Sequence, residues 1–507
     1  MDVSSRLKTG AIWTYLTGGV GAIISFVSGI IMARLLEPSD FGVFFTVTAF
    51  TAILSRQITF GIPEALLQAR ELREEQWNTA FWVMTGIALF CGLIVLSIAE
   101  PLGRTYDAPE YATVMRFMAI GFLAVPFMSI NGTLLRREMR FDIVSRIILT
   151  GGLLSAIAGI AAAYFGMGVF SLVIGGLTGV AVQTTLMARA APWRPRFAFN
   201  ASGAKPLFSY GWRMHLNRSI DVLGQHLDVM LVGRLQGMTD TGLYNRARSL
   251  ARLPVAEVLG RLYQVAFSGF SRIQDDLDHT RSLFGKLLCT MAMAIYPMLV
   301  IGYFCADAAL LNIYGEKWLM AADPMRIMII GSFAATISVT LGSLLDAQNL
   351  MHREIPVQIF NLFLLAVAVL IGSNWGLVGI AVASNIRMLV IAILLFRVVH
   401  TSHVKMTLDI IAAALAPATI TAIVTALLMT LVQTTIFDSL AVTSIYWLLI
   451  APIVVGLSSI ACFYALRVMW PTNSFLASAI EMMHSVAARG LSAIGNRMGR
   501  KQSSPSA

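Results

Sequence analysis

Ionisable side chains interrupt three apolar stretches of this chain that are long enough to cross a membrane. The first stretch, at 41–65, contains Arg56, Gln57 and Glu64, and the other two lie at about 208–234 and 242–268. The polar residues of these two are Arg213, His215, Arg218, Asp221, Gln225, His226 and Asp228, then Asn245, Arg246, Arg248, Arg252, Glu257 and Arg261. Charged groups at membrane depth are costly and usually face a cavity or one another. The pattern therefore predicts a polar lumen.

Helical spacing sorts these residues into faces. The stretch at 208–234 has one polar face, formed by Arg218, Asp221, Gln225 and Asp228. The stretch at 242–268 has two stripes, one of Arg246, Glu257 and Arg261 and the other of Asn245, Arg248 and Arg252. One stripe can pair with the neighbouring helix while the other lines a lumen.

Among the residues named in these two stretches, six arginines outnumber three carboxylates. Ion pairing within the bundle and proton or cation coupling both remain open for the acids, which are Glu64, Asp221, Asp228 and Glu257. The surplus arginines need an anion, and guanidinium groups bind phosphate or carboxylate in bidentate fashion. The predicted substrate-binding residues are Arg56, Gln57, Arg213, Arg218, Asn245, Arg248, Arg252 and Arg261. Weaker candidates for lining the same cavity are Asn131, Asn361, Asn385 and Arg387. For each asparagine, hydrogen bonding between helices is the favoured role.

The composition is that of a polytopic membrane protein. Of 507 residues, 57% are hydrophobic and 13% are charged, and the mean hydropathy is +0.75. A soluble domain carries about twice this charged fraction, so most soluble enzymes are excluded. At about 20 residues per crossing, the apolar segments predict an all-α protein of about 14 transmembrane helices.

These segments predict five regions. They are an N-lobe of helices 1–6 (1–190), a cytoplasmic linker (191–207), a C-lobe of helices 7–12 (208–400), helices 13–14 (401–466) and a basic amphipathic tail (467–507). Basic residues concentrate in the loops on one side of this arrangement, which places both termini in the cytoplasm. We therefore expect a multi-pass membrane protein.

The two lobes resemble each other in sequence. Arg34, Leu35, Asp40 and Gly42 recur 200 residues later, while Met115-Arg116 and Phe165-Gly166 are echoed 210 residues later by Met325-Arg326 and Trp375-Gly376. Three echoes in the same order indicate duplicated six-helix halves. Such pseudo-symmetric lobes rock against each other in transporters and open a central cavity to each side in turn.

Other chemistries find little support in the sequence. The net charge of +10 is better explained by anionic lipid and an anionic substrate than by nucleic acid. The four cysteines are far apart and predict packing roles, and His400 and His403 have no carboxylate or thiol beside them, so no metal site is expected. No Walker A or hydrolase motif occurs, so no cofactor is expected, and a proton or Na⁺ gradient remains open as the energy source.

Several motifs resemble those of bacterial polysaccharide-export flippases. They are Arg34-Leu-Leu-Glu-Pro-Ser-Asp-Phe-Gly-Val-Phe44, Gly61-Ile-Pro-Glu-Ala65, Leu134-Leu-Arg-Arg-Glu-Met-Arg-Phe141 and Asp240-Thr-Gly-Leu-Tyr244. The resemblance extends to about residue 466 and is to the Wzx and colanic-acid-exporter-like members of the multidrug/oligosaccharidyl-lipid/polysaccharide (MOP) superfamily. It implies a MATE-like fold, in which helices 13 and 14 lie outside the two lobes.

The resemblance also implies a function. Such a flippase moves undecaprenyl-diphosphate-linked oligosaccharide across the inner membrane for exopolysaccharide or O-antigen-type synthesis by alternating access, with cavity arginines such as Arg56 on the diphosphate. Its expected partners are this lipid-linked substrate, membrane lipids, and a polysaccharide polymerase with its export machinery. The alternatives are a peptidoglycan lipid-precursor flippase and a cation-coupled multidrug exporter. A membrane glycosyltransferase, polymerase or ligase is disfavoured because the longest predicted periplasmic loop, 306–324, has few candidate catalytic residues.

Overall fold

The computed structural model describes residues 3–69, 72–198, 201–273, 276–437 and 444–481, and this part of the chain is helical throughout, without a strand. The helices are α1 Val3–Leu35, α2 Pro38–Thr59, α3 Ile62–Gln68, α4 Glu74–Thr105, α5 Tyr111–Ile120, α6 Ala124–Arg137, α7 Phe141–Tyr164, α8 Phe170–Ala190, α9 Ala201–Gln236, α10 Met238–Arg272, α11 Leu277–Phe304, α12 Ala306–Ala309, α13 Ala322–Ala347, α14 Met351–Gly372, α15 Gly376–His400, α16 Leu408–Val432 and α17 Ser444–Met469. The predicted all-α polytopic fold is confirmed.

Eleven stretches of the described residues are long and apolar enough to span a membrane. One of them, His352–His400, is 49 residues long and contains both α14 and α15. Neither α9 nor α10 is among the eleven, because both carry the charged residues described above. The count of about 14 crossings stays a prediction, since these two polar helices decide it.

The chain divides into two compact units. Unit 1 consists of Met1–Asn245 together with Ile313–Trp318, and unit 2 of Arg246–Asn312 together with Leu319–Ala507. The division falls within α10, so α9 packs in unit 1. The lobe boundaries at 190 and 208 follow from the apolar segments and the linker between them, and they stay a prediction.

The internal repeat is visible in the backbone as well as in the sequence. Gly166 and Gly376, the glycines of one echo, both have positive φ, at 76° and 65°. Met139 and Asn349 are likewise 210 residues apart and have φ values of 56° and 55°. Because non-glycine residues seldom adopt such angles, two matching pairs indicate equivalent turns. The duplication inferred from sequence therefore extends to local structure.

Within unit 1, the starts of α2 and α10 pack against each other backbone to backbone. A Cβ atom added to Gly42 of α2 would lie 1.8 Å from the Met238 carbonyl oxygen, and one added to Gly242 of α10 would lie 1.9 Å from the Pro38 carbonyl oxygen. The two contacts are reciprocal between repeated motifs. The recurring glycine therefore serves close helix packing, because any side chain would collide with a backbone atom that cannot swing away.

The segment Ile313–Trp318, which we call the strap, also packs in unit 1. Its Trp318 is fully buried, donates its indole N–H to the Ala33 carbonyl at 2.9 Å and packs edge-on against Phe41 with ring centroids 5.3 Å apart. Lys317 forms an ion pair with Glu37 at 3.3 Å. The strap therefore covers the connection between α1 and α2.

Two basic residues of the 134–141 motif stabilise helix ends. Arg137, in the last turn of α6, donates to the Leu66 and Ala69 carbonyls at 2.6 Å each, at the end of α3. Arg140 donates to the Ala190 carbonyl at 3.3 Å, at the end of α8. A cation near exposed helix carbonyls satisfies their lone pairs and opposes the negative end of the helix dipole. These arginines therefore hold the framework.

The C-terminal tail is described only as far as residue 481. Its first part is helical, and Leu476 and Ala479 are buried. Asn473 begins this turn by accepting the backbone N–H groups of Phe475 and Leu476. The remainder of the predicted amphipathic helix lies outside the described residues.

Candidate functional site

The first polar cluster lies at a break between α2 and α3. Phe60 and Gly61 both have positive φ, at 44° and 70°, and Pro63 stands in the first turn of α3. Glycine adopts this conformation without strain, and proline starts a helix well because its missing N–H would find no helical partner there. The Gly61-Ile-Pro-Glu-Ala65 motif therefore breaks the span Pro38–Gln68.

The break brings Arg56 and Glu64 together. The Arg56 Nη2 and Glu64 Oε1 atoms lie 3.8 Å apart, and the two side chains are 19% and 23% exposed. Arg56 is in the last turn of α2 and Glu64 in the first turn of α3, so each charge also complements the nearby helix dipole. An ion pair was one of the two roles predicted for Glu64, and coupling stays a prediction.

Gln57 and His215 join α2 to α9 next to this ion pair. The Gln57 Nε2 group donates to the Ile53 carbonyl at 3.2 Å, which turns its Oε1 atom toward His215 Nε2, 2.8 Å away. The imidazole is buried and stacks on Phe60 with ring centroids 4.4 Å apart. Because an amide oxygen only accepts hydrogen bonds, this contact selects the tautomer protonated at Nε2.

The sequence pattern does not single out His215 as a site residue. A histidine within a predicted span is as compatible with helix packing as with ligand binding, and sequence spacing could not show that it reaches a residue 158 positions away. Its contact with Gln57 is what identifies it as part of the polar cluster of unit 1.

Asp228 is buried where α9 meets the start of α10. Its Oδ2 atom accepts from the Tyr244 hydroxyl at 2.9 Å, and its Oδ1 atom accepts from the Val229 N–H at 2.9 Å. Nearby, the Tyr106 hydroxyl donates to the Met230 carbonyl at 3.1 Å, and burial raises the pKa of Tyr106 to about 12, so it is a neutral donor. The Tyr244 contact gives Asp228 a structural role, whereas its predicted coupling role is untested.

The other predicted residues are distributed along α9 and α10. Asp221 of α9 is exposed, and Asn245 and Arg248 of α10 are half-buried. Arg252, one turn beyond Arg248 on the same stripe, is exposed and lines a cavity of unit 2. The side chains of four predicted residues lie outside the described part of the chain: Arg213, Arg218, Glu257 and Arg261.

The cavity of unit 2 has a volume of about 360 Å³. Residues of α13, α14 and α15 line it, together with Arg252 of α10. Its charged and amide side chains are Arg252, Asp346, Glu354, Gln358, Asn361 and Arg387, and apolar residues such as Val339 and Ile391 complete the wall. Small-molecule sites commonly have volumes of about 300–1,000 Å³ and combine an apolar wall with a few placed polar groups.

Hydrogen bonds orient the polar groups of this cavity. Arg387 donates to the Asn361 side-chain oxygen, which leaves the Asn361 amide group oriented with its nitrogen away from the guanidinium. Gln358 donates to the Glu354 carboxylate at 3.0 Å, one turn away on α14. These contacts present donors and acceptors side by side, which suits a ligand that both donates and accepts.

Asp346, Glu354 and Gln358 were not identified from the sequence. Asp346 and Glu354 stand at the ends of two apolar segments, where charged residues ordinarily face water, so their positions carried no signal of a site. Of the four weaker cavity candidates, Asn361 and Arg387 lie in this wall. Asn385 instead donates to the Ile327 carbonyl, and Asn131 is buried elsewhere.

The predictions about cysteine and histidine can also be compared with the structure. Cys91, Cys289 and Cys305 are buried free thiols, as expected of packing residues. His400 contacts the Met406 carbonyl at 2.7 Å, and His403 contacts Gln348 at 2.9 Å. Within the described residues, no group of three or more histidine, cysteine or acidic side chains is arranged to hold a metal ion.

Comparison with known proteins places this geometry in a family. A family model described as "Polysaccharide biosynthesis protein" matches residues 31–323. The lipopolysaccharide biosynthesis protein WzxC of Escherichia coli is 22% identical over 383 residues, which cover 75% of this chain and 78% of the relative. The succinoglycan biosynthesis transport protein ExoT of Rhizobium meliloti is 27% identical over 319 residues, which cover 61% of this chain and 63% of ExoT.

A solved structure shares the fold. The lipid II flippase MurJ in an inward closed conformation superimposes with a TM-score of 0.73 and 13% identity, covering 90% of this chain and 99% of MurJ. At this identity the likeness concerns the fold alone. It confirms the predicted polytopic fold of the MOP type.

Proposed function

The chain belongs to the polysaccharide biosynthesis protein family, and from this membership we propose that it is a flippase for undecaprenyl-diphosphate-linked oligosaccharide. The family match over residues 31–323 carries the proposal. Relatives named for lipopolysaccharide biosynthesis and for succinoglycan transport support it. The substrate would cross the bacterial inner membrane before its saccharide enters an exopolysaccharide or O-antigen-type polymer.

The chemistry of the polar helices supports an anionic lipid-linked substrate. Arg56 and Arg248 are half-buried in a chain of which only 13% is charged. We assign the diphosphate to these arginines and to Arg218, because guanidinium groups bind phosphate oxygens in bidentate fashion. Each is expected to contact the diphosphate during transport, and each can be tested separately.

Closing of the transporter would then depend on the substrate. If these arginines bind the diphosphate more tightly in one conformation than in the other, the substrate favours that conformation. A ligand shifts a conformational equilibrium only through such a difference in affinity. A proton or Na⁺ gradient, with Glu64 or Asp221 as coupling groups, is a separate proposal that transport measurements at varied gradients would test.

The two alternatives within the superfamily are not favoured. The peptidoglycan lipid-precursor flippase shares the fold, but the fold is all that a 13% identical structure supports. A cation-coupled drug exporter needs an acidic cavity, whereas the described polar helices are rich in arginine. A role as a transporter rather than an enzyme fits relatives such as ExoT, which is named for transport.

Complementation of a deletion strain tests the proposed function. Polymer output and the leaflet position of the lipid-linked oligosaccharide are measured with wild type, Arg218→Ala and Arg248→Ala, with Arg104→Ala as a control because Arg104 is 80% exposed. We expect precursor trapped on the cytoplasmic side with the first two variants and normal output with the control. Normal output from both Arg218→Ala and Arg248→Ala would overturn the assignment of the arginines, and unchanged precursor in the deletion strain would overturn the function.

A further inference from the structure

The cavity of unit 2 differs in charge from a diphosphate site. Its wall carries two guanidinium groups, Arg252 and Arg387, and two carboxylates, Asp346 and Glu354, so its formal charge balances. A diphosphate placed there would meet two like charges, which raise its binding free energy. The cavity is therefore suited to a neutral polar ligand rather than to a concentrated negative charge.

The arrangement of donors and acceptors matches a saccharide. Sugar hydroxyls both donate and accept hydrogen bonds, and Gln358, Asn361 and Arg387 present amide and guanidinium donors next to carboxylate and amide acceptors. Val339, Ile391 and other apolar wall residues offer a surface for the C–H face of a sugar ring. The volume of about 360 Å³ is in the usual range for a small-molecule site.

We propose that this cavity binds the saccharide portion of the lipid-linked substrate. The inference rests on the proposed function and adds to it a place for the sugar. It also assigns Arg252, predicted to bind the diphosphate, to the saccharide. Arg248 precedes Arg252 by one helical turn on the same stripe of α10, so a substrate that contacts Arg248 with its diphosphate can reach the cavity with its first sugars.

The position of the cavity along unit 2 is consistent with loading from the cytoplasm. Asp346 lies near the end of α13 and Glu354 near the start of α14, and the basic-residue pattern predicts that the connection between these helices is cytoplasmic. The oligosaccharide of such a precursor is proposed to enter from that side. A saccharide site next to this connection would engage the sugar before translocation.

Binding measurements with two separated parts of the substrate test the proposal. The purified full-length protein in lipid nanodiscs is titrated with the strain's repeat-unit oligosaccharide, released from its lipid by mild acid, and separately with undecaprenyl diphosphate without sugar. The variants are Gln358→Ala and Asn361→Ala. The matched control is Asn374→Ala, in the exposed turn after α14.

We expect wild type and Asn374→Ala to bind the free oligosaccharide equally. Gln358→Ala and Asn361→Ala should each weaken this binding about 3- to 10-fold, as the loss of one or two hydrogen bonds would, and leave undecaprenyl diphosphate binding unchanged. Thermal unfolding of each variant within a few degrees of wild type shows that the fold is retained. For a variant that unfolds earlier, Gln358→Glu provides a second measurement with the same expected direction.

Three results would overturn the saccharide assignment. In the first, wild type does not bind the free oligosaccharide. In the second, the cavity variants Gln358→Ala and Asn361→Ala bind it as tightly as wild type does. In the third, these variants lose binding of undecaprenyl diphosphate but retain binding of the oligosaccharide. Flipping by wild type in vesicles separates this failure from failure of the proposed function. If wild type flips the precursor and the cavity variants flip it equally well, only the saccharide site is wrong, whereas absence of flipping by wild type contradicts the function itself.

Discussion

The reciprocal contact of Gly42 and Gly242 leads to the sharpest prediction. A Cβ at residue 42 would lie 1.8 Å from the Met238 carbonyl oxygen, whereas a carbon–oxygen contact normally exceeds about 3.3 Å. Gly42→Ala therefore requires the starts of α2 and α10 to separate by about 1.5 Å. Because the obstacle is backbone, the change resembles overpacking of a core, which costs about 1–3 kcal/mol. Because 1.4 kcal/mol changes an equilibrium constant tenfold, the packed conformation loses population about 5- to 150-fold relative to the separated one.

Cysteine accessibility measures this depletion. Thr46, one turn after Gly42, is fully buried, so Thr46→Cys in a background lacking the four native cysteines reports opening through its labelling by a membrane-impermeant maleimide. Gly42→Ala should raise the labelling rate about 5- to 150-fold and lower polymer output. Gly86→Ala is the control because a Cβ there meets nothing within 4 Å. Unchanged labelling and normal output in Gly42→Ala would refute the reasoning.

Four further substitutions, at three positions, test other contacts. Trp318→Ala should destabilise the packing of the strap by about 3–5 kcal/mol, the usual cost of truncating a buried aromatic side chain. Trp318→Phe should destabilise it by about 1 kcal/mol, because the indole hydrogen bond is lost. Limited proteolysis at the strap measures both effects. Tyr244→Phe should lower the free energy of unfolding by about 1.5–3 kcal/mol, because it removes a donor to the buried Asp228 carboxylate. We expect a lower Tm, while transport per folded molecule stays within about twofold of wild type. Arg137→Ala should lower the Tm, since the end of α3 loses two hydrogen bonds, and an unchanged Tm would show that these contacts carry no stability.

The sequence predicts the fold of this chain well because lipid imposes strong constraints. Long apolar stretches must be helices, since backbone groups find no water in the membrane core. The repeat at 34–42 and 234–242 led to the duplicated halves, and the positive φ angles at Gly166 and Gly376 agree with it. Its physical reason, the packing of each glycine against the start of the other helix, required coordinates.

The candidate site was less predictable. Polar residues within apolar stretches made Arg56, Gln57 and Arg252 candidates, because unusual polarity is visible without tertiary structure. The contact of Gln57 with His215 and the cavity wall at Asp346 and Glu354 depend on how distant helices pack. Helical periodicity shows which residues share a face but does not tell which face meets which neighbour.

Reconstituted flipping is the most direct measurement of the central claim. The purified chain is placed in vesicles that contain undecaprenyl-diphosphate-linked repeat unit in the inner leaflet, and the fraction of saccharide exposed to an external glycosidase is followed with time. Our account predicts exposure that rises faster than in protein-free vesicles and is slowed by Arg248→Ala. Exposure at the protein-free rate, with folded wild-type protein in the membrane, would contradict it.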